Sequence, residues 1–161
     1  MKKLAILLLL FPLTLFGQDA TYQKVIYSQK ISGVIFEVEG YTHLGTGQKE
    51  ALLNISSRSS LVASQPPKTD VSIPLAEMDL FLTFFKFLAD DMIPNVLPGE
   101  ASFWTKKLEL VGARYDSSTK KWTIGFDVGS TMLFQKDALE FARKTVDILT
   151  EAKTKMEEFV N

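Results

Sequence analysis

The chain of 161 residues carries 18 basic and 19 acidic side chains, a formal net charge of −1, and no cysteine. This balanced charge gives no electrostatic footprint for nucleic acid or for an anionic membrane surface. The lack of cysteine excludes disulfide bonds, thiol nucleophiles and thiolate metal sites, so stability must come from the packed core alone.

The first seventeen residues are predicted to form a signal peptide (residues 1–17). Lys2 and Lys3 precede an uncharged apolar run over residues 4–16, and the small residue Gly17 closes it. This three-part layout is typical of secretory signals and resembles those of exported bacterial proteins. The run is shorter than the roughly 20 residues that span a bilayer. We therefore expect cleavage after Gly17, a secreted or periplasmic location, and no stable membrane span afterwards.

Residues 18–161 are predicted to form a single α+β domain of ordinary size that is mildly acidic once the two lysines of the signal are removed. Its first part favours strands at residues 25–27, 34–39 and 52–55, and a further short strand is predicted at 70–73. The run 34–39 alternates between the two faces of a strand, as a half-buried strand does.

A phenylalanine-rich helix is predicted over residues 75–92. Pro74 suits the start of a helix because its missing N–H is not needed there. Met78, Phe81 and Phe85 share one face, but further apolar residues widen the apolar surface beyond the usual stripe. Such a helix is either central in the domain or pressed against a second subunit, an apolar ligand or a membrane. The predicted ligand or partner surface consists of Leu80, Phe84, Phe87 and Trp104.

The second half is predicted to contain a hairpin followed by a long helix. Trp122, Ile124 and Phe126 alternate with more polar residues, and an amphipathic helix opens at Phe134 or Gln135. Together with the first half, this order predicts one antiparallel sheet of about five to six strands packed on two helices.

The order of strands followed by a helix occurs twice along the chain. A shift of about sixty residues places Met78 and Phe81 over Ala138 and Phe141, which fits either a pseudo-repeat by duplication or ordinary helical periodicity. The order is similar to that of the transcription-cofactor and whirly group of single-strand nucleic-acid binders. No motif is shared with that group, and export and net acidity argue against binding to nucleic acid.

No residue pattern predicts a catalytic, metal or cofactor site. His43 is the only histidine, and the chain lacks the Gly-x-Ser-x-Gly signature of a nucleophilic serine. Glu39 and His43 share the parity of one strand face, but about 13 Å of regular strand would separate them, too far for one ion. Residues 45–49 lack the spacing of a phosphate-binding loop, so a turn between strands is the better interpretation.

The sequence therefore favours a non-catalytic binding or interaction module that acts as a homodimer or on a protein partner through the phenylalanine-rich helix. One alternative is a small hydrolase using paired acids, such as Glu77 with Asp79 or Asp127 with Asp137. A second alternative is a carrier for an apolar ligand, which requires an internal cavity between the sheet and the phenylalanine-rich helix.

Overall fold

A computed structural model of the protein describes residues 20–57, 71–107, 109–126 and 129–161. The predicted signal peptide and Asp127 lie outside these residues. Within them, no helix is long and apolar enough to cross a membrane.

The first sheet is an antiparallel meander of four strands in chain order. These are β1 (Thr21–Ile31), β2 (Val34–His43), β3 (Lys49–Ser57) and β4 (Val71–Pro74). In β2, Val34, Phe36 and Val38 are buried while the residues between them are half-buried, which is the alternation that its sequence predicts. The tight β1–β2 turn uses Gly33 at a φ of +84°, a conformation that glycine adopts without steric cost.

The helix α1 (Met78–Phe87) follows β4 through a single 3₁₀ turn and continues into a π-helical turn at Leu88–Met92. Pro74 has extended backbone angles just before the first turn, where a proline fits without losing a hydrogen bond. Phe81 and Phe85 on its inner face are completely buried. The predicted helix is thus confirmed, and its last turn, Leu88–Met92, is π-helical.

The second sheet is also a four-stranded antiparallel meander and leads directly into a long helix. Its elements are β5 (Glu100–Trp104), β6 (Leu110–Asp116), β7 (Lys121–Phe126), β8 (Gly129–Phe134) and α2 (Gln135–Val160). Trp122, Ile124 and Phe126 of β7 are all buried, as the alternation in this strand predicts.

One hydrophobic core joins the two sheets. The ring of Phe126 in the second sheet contacts Phe36 of the first sheet at 6.3 Å and Phe85 of α1 at 6.4 Å, measured between ring centroids. Helix α2 returns over the first sheet, where its Phe159 ring lies directly against Gly40. The two sheets therefore share both helices.

The α+β class is confirmed, but the prediction of one sheet with about five to six strands is wrong: the described residues form two sheets of four strands each. The extra strands are β5 and β8, which are short and follow or contain glycine, so they lack a strong strand signal. At the edge of the first sheet, the backbone N–H of Ser72 in β4 donates to the Glu109 carboxylate at 3.1 Å. That side chain occupies a donor that a fifth strand would need.

Candidate partner-binding site

Three of the four predicted surface residues lie together along one side of α1. Leu80 is 66% exposed, Phe87 is 41% exposed, and Phe84 between them is half-buried. Their spacing of four and three residues places them on one side of the helix. We call Leu80, Phe84 and Phe87 the α1 flank.

The α1 flank borders strand β5, which lies at one edge of the second sheet. The ring centroid of Phe84 is 6.2 Å from that of Phe103 in β5, and Phe103 also contacts Phe81 at 5.0 Å. Phe103 therefore connects the exposed flank with the buried face of α1. The result is a continuous apolar surface that runs from the helix to the edge of the sheet.

The fourth predicted residue, Trp104, lies on the other face of the same strand. Successive side chains of a strand point to opposite faces, so Trp104 faces away from Phe103 and from α1. It is 57% exposed and stands opposite Leu110 in the register of β5 and β6. The structure therefore separates Trp104 from the α1 flank by the thickness of one strand.

The sequence missed two further exposed apolar side chains on the Trp104 face of the second sheet. Met132 and Phe134 of β8 are both well exposed, and Phe134 carries the Lys121 ammonium 4.9 Å from its ring centroid. Their common parity would have indicated a shared face, but only if β8 had been recognised as a strand. This face is less polar than the outer face of a half-buried antiparallel sheet usually is.

The position of β5 relative to α1 is fixed by a network of hydrogen bonds at the end of the strand. The buried Glu77 carboxylate, just before α1, accepts the backbone N–H of Lys106 at 3.2 Å. The Thr105 hydroxyl accepts the N–H groups of Lys107 at 3.2 Å and Glu109 at 3.1 Å. These hydrogen bonds connect the end of β5 to the start of α1 in the native structure.

A neighbouring side of α1 contacts α2. Lys153 of α2 donates to the Asp79 carboxylate at 2.7 Å, and this hydrogen bond raises the pKa of the Lys153 ammonium. Since both groups are in contact with water, this ion pair contributes little stability, but it marks the side of α1 that faces α2. Within the α1 flank, Leu80 and Phe87 are exposed, whereas Phe84 is half-buried and packs against the edge of the core.

The carboxylates of the predicted acid pair Glu77 and Asp79 have separate partners. Glu77 is buried against the backbone of Lys106, whereas Asp79 is exposed and binds Lys153. These contacts give the hydrolase hypothesis no support. The other predicted pair includes Asp127, which lies outside the described residues.

The polar face of β2 forms a structural network. The Glu39 carboxylate accepts hydrogen bonds from Tyr41 and from Asn54, the latter at 2.7 Å. Burial and the bond to Glu39 raise the pKa of Tyr41 to about 12. His43 lies at the strand end, where its Nε2 atom is 3.6 Å from Glu50. Among the residues that the structure describes, no three His, Asp or Glu side chains are grouped to hold a metal ion.

The space between α1 and the sheets is occupied by aromatic rings. Phe81 and Phe85 meet at 5.2 Å, and Phe85 stacks on Phe126. This packing gives the carrier hypothesis no support. A shallow depression of about 220 Å³ instead lies on the outer face of the second sheet. Its lining includes Glu100, Leu110, Gly112, Arg114, Thr123 and Gly125.

Comparison with known protein families finds no match for this chain. Comparison with curated proteins finds no significant similarity either. The features that remain to indicate a function are the exposed side chains of the α1 flank and its neighbour β5.

Proposed function

We propose that the protein is an exported, non-catalytic binding module that contacts a protein partner through the α1 flank. The observation that carries this proposal is the continuous apolar surface formed by Leu80, Phe84 and Phe87 with Phe103 of β5. Single exposed apolar residues are ordinary, but contiguous apolar patches are typical of interaction sites.

The stability of the domain does not require this patch. The inner face of α1 already supplies the completely buried side chains Met78, Phe81 and Phe85 to the core. Leu80 is mostly exposed, so replacing it by a polar residue would remove little buried area and should change the free energy of unfolding only slightly; Phe87, at 41% exposure, should cost more. Apolar side chains at these two positions are therefore better explained by contact with another molecule.

A protein fits this surface better than a small molecule does. Small ligands are usually bound in concave sites that cover most of their surface. The α1 flank lies on the convex side of a helix, and its aromatic residues are of the kind that is enriched at protein interfaces. A convex apolar helix side beside a strand edge suits a partner that brings its own complementary groove or segment.

The proposed function can be tested by affinity capture of exported proteins from the native organism. We expect the wild-type protein to retain a specific partner, or a second copy of itself, that a Leu80→Ser/Phe87→Ser variant does not retain. The matched control is Tyr22→Ser/Val25→Ser on β1, because Tyr22 and Val25 are 56% and 53% exposed. Equal capture by both variants, or capture of nothing by the wild type, would contradict the proposal.

The proposed export has its own test. Mass spectrometry of the protein from its native source should find an N-terminus at Gln18, because the signal layout ends at Gly17. A chain that retains Met1 would show that the leader is not removed.

We also interpret the two halves of the domain, each a four-stranded sheet followed by a helix, as products of a duplication. Both helical segments begin after a residue with nearly the same extended backbone, Pro74 with φ −72° and ψ 156° and Phe134 with φ −64° and ψ 157°. Each of these residues ends the fourth strand of its sheet. Related sequences that retain clearer similarity between the halves would support this interpretation.

A further inference from the structure

The backbone of β5 has one side paired with β6 and one side facing outward. The N–H of Thr105 donates to the carbonyl of Glu109 at 3.0 Å, so Thr105 faces β6. Backbone groups alternate in direction along an antiparallel strand, so Phe103 and Ala101 also face β6. The residues whose N–H and C=O groups face outward are Glu100, Ser102 and Trp104.

These outward groups have no hydrogen-bond partner in the part of the chain that the structure describes, where β5 pairs with β6 alone. A row of free N–H and C=O groups at a sheet edge is a template for pairing with another strand. Peptide-binding domains use such edges by adding an extended segment of the partner to the sheet.

The described sheets have three other edge strands: β1 and β4 are protected against such pairing, whereas β8, like β5, carries no lysine or proline. Strand β1 carries Lys24 and Lys30 and has a bulge near Ile26. On β4, the N–H of Ser72 is occupied by the Glu109 carboxylate. Lysines, bulges and covering groups are the usual means of blocking edge-to-edge association. Strand β5, with the sequence Glu-Ala-Ser-Phe-Trp, has neither a lysine nor a proline nor a bulge.

A strand added to β5 would reach both parts of the predicted surface. Its side chains would alternate between the two faces of the sheet. Those on the inner face would lie beside Phe103 and the α1 flank, and those on the outer face would lie beside Trp104. Trp104 and the α1 flank, which lie on opposite faces of β5, would thus contact the same partner segment.

The ends of β5 differ in charge. Glu100 begins the strand, and the exposed Lys106 and Lys107 follow its last residue. About 17 Å of extended chain separates Glu100 from Thr105, and Lys106 and Lys107 lie in the turn that follows. A complementary segment therefore carries a basic residue beside Glu100 and an acidic residue beside the two lysines.

We propose that an extended segment of the partner polypeptide pairs antiparallel with the free edge of β5 and becomes the fifth strand of the second sheet. The segment carries an acidic residue at its N-terminal end, apolar residues at alternate positions facing the α1 flank, and a basic residue at its C-terminal end. This inference rests on the proposed function of the α1 flank. It adds that the partner segment is extended, that its charged and apolar residues follow a defined order, and that it runs antiparallel to β5.

The experiment uses a fluorescent peptide with the sequence Glu-Val-Thr-Val-Thr-Val-Lys. Paired antiparallel with residues 100–106, it places its valines on the α1 side and its charges beside their complements. The matched control is Lys-Val-Thr-Val-Thr-Val-Glu, which has the same composition and reversed charges. We expect tighter binding of the first peptide, measured by fluorescence anisotropy, and loss of that preference at high salt. Equal affinities would overturn the proposed charge pattern. Tighter binding of the control, whose charges meet the same complements in a parallel pairing, would overturn the proposed antiparallel direction.

A proline substitution tests the pairing itself. Ser102→Pro removes an outward N–H without touching the bonds to β6, and proline is tolerated on the free side of an edge strand. We expect Ser102→Pro to weaken peptide binding by about tenfold or more, whereas Ser102→Ala keeps the N–H and binds normally. Gln23→Pro is the control on β1, where the N–H of Leu44 donates to Ala20 and so places Gln23 on the free side.

Amide hydrogen exchange gives a readout that separates this inference from the proposed function. On peptide binding, the amides of Ser102 and Trp104 should become protected, while that of Phe103 is already paired with β6 and should not change. If Leu80→Ser/Phe87→Ser abolishes binding but Ser102→Pro does not, the flank is the binding surface and strand addition is wrong. If neither peptide binds, or if Ser102→Pro instead dissociates a dimer of this chain, the commitment to a foreign extended segment is overturned.

Discussion

The two sheets share the order of four antiparallel strands followed by a helix, yet their outer faces and edges differ. The first sheet carries a polar network on its outer face, in which Asn54 donates to Glu39 and Ser72 donates to Asn54 at 2.8 Å. The second sheet exposes Trp104, Met132 and Phe134 on its outer face, and among the described residues the outward side of β5 has no partner strand. Since the first sheet also exposes Tyr22 and Val25 on β1, the two sheets differ in the polar network and in the β5 edge rather than in the presence of exposed apolar side chains.

The substitution with the largest expected effect disrupts the core that both sheets share. Phe126→Ala removes a completely buried ring that contacts Phe36 of the first sheet and Phe85 of α1. We expect the free energy of unfolding to fall by about 3–5 kcal/mol, measured by urea denaturation. Both sheets should unfold in one transition. Separate transitions for the two sheets would contradict a common core.

A pair of glycine substitutions compares the two sheets directly. A Cβ on Gly40 of the first sheet would lie 2.8 Å from the Phe159 ring, whereas a Cβ on Gly112 of the second would meet nothing closer than 3.5 Å. Gly40→Val should therefore destabilise the protein by about 1–3 kcal/mol through displacement of Phe159. Gly112→Val should change stability by less than about 0.5 kcal/mol, as most surface substitutions do. Similar losses at both positions would refute this difference in packing.

Glu109 is expected to contribute stability by closing the edge of β4. Its carboxylate accepts hydrogen bonds from the backbone of Ser72 and from the hydroxyl of Thr105 at 3.2 Å. Glu109→Ala leaves these donors without their partner. It should lower the free energy of unfolding by about 1–2 kcal/mol, measured by chemical denaturation. Glu50→Ala is a control at an exposed position, and it should have no measurable effect. An equal effect of the two substitutions would show that closing the edge contributes nothing.

Alkaline and acid conditions should lower the stability of the protein through titrating groups that lie in different sheets. Burial raises the pKa of Tyr27 and Tyr41 in the first sheet to about 12, while hydrogen bonds from Ser118 and Thr119 lower the pKa of Asp116 in the second to about 2. The folded state holds the tyrosine protons more tightly than the unfolded state, so stability falls as pH rises from about 10 to 12. It binds the Asp116 proton less tightly, so stability also falls between about pH 4 and pH 2.

The measurement for this prediction is the urea midpoint as a function of pH. Tyr41→Phe should reduce the alkaline loss and leave the acid loss unchanged, and Asp116→Asn should do the reverse. The effects are modest because these side chains are largely in contact with water. Identical pH profiles for wild type and both variants would show that these groups do not govern the pH dependence.

The smallest effect is expected on the outer face of the second sheet. Lys121 lies over the Phe134 ring at an exposed position, so Lys121→Met should destabilise the protein by at most about 1 kcal/mol. Thermal denaturation of the wild type and the variant, at low and at moderate salt, would measure this loss of stability. A larger loss would indicate that Lys121 has a further structural role.

The sequence predicts the elements that have strong periodicity but not the relations between them. The alternation in β2 and β7 and the spacing in α1 and α2 depend on local pattern, and each corresponds to an observed element. Strand β5 has only five residues after Pro98 and Gly99, so its alternation is too short to identify it from the sequence. Without β5, the sequence cannot show that Trp104 faces away from α1.

The candidate site is predictable only in part for the same reason. The breadth of the apolar surface on α1 is enough to indicate Leu80, Phe84 and Phe87, because a helix buries only part of its circumference. The edge beside them depends on β5 pairing with β6 alone among the described residues, and the neighbouring β4 edge is occupied by the Ser72–Glu109 contact between residues 37 positions apart. Local patterns carry no information about such a contact.

The most direct test of the central claim is a map of amide chemical-shift changes when the peptide Glu-Val-Thr-Val-Thr-Val-Lys is added to the isotope-labelled protein. The account predicts that the changes concentrate on β5 and the α1 flank and leave the β1 edge unaffected. Changes confined to β1, or the same changes in the Leu80→Ser/Phe87→Ser variant, would contradict it.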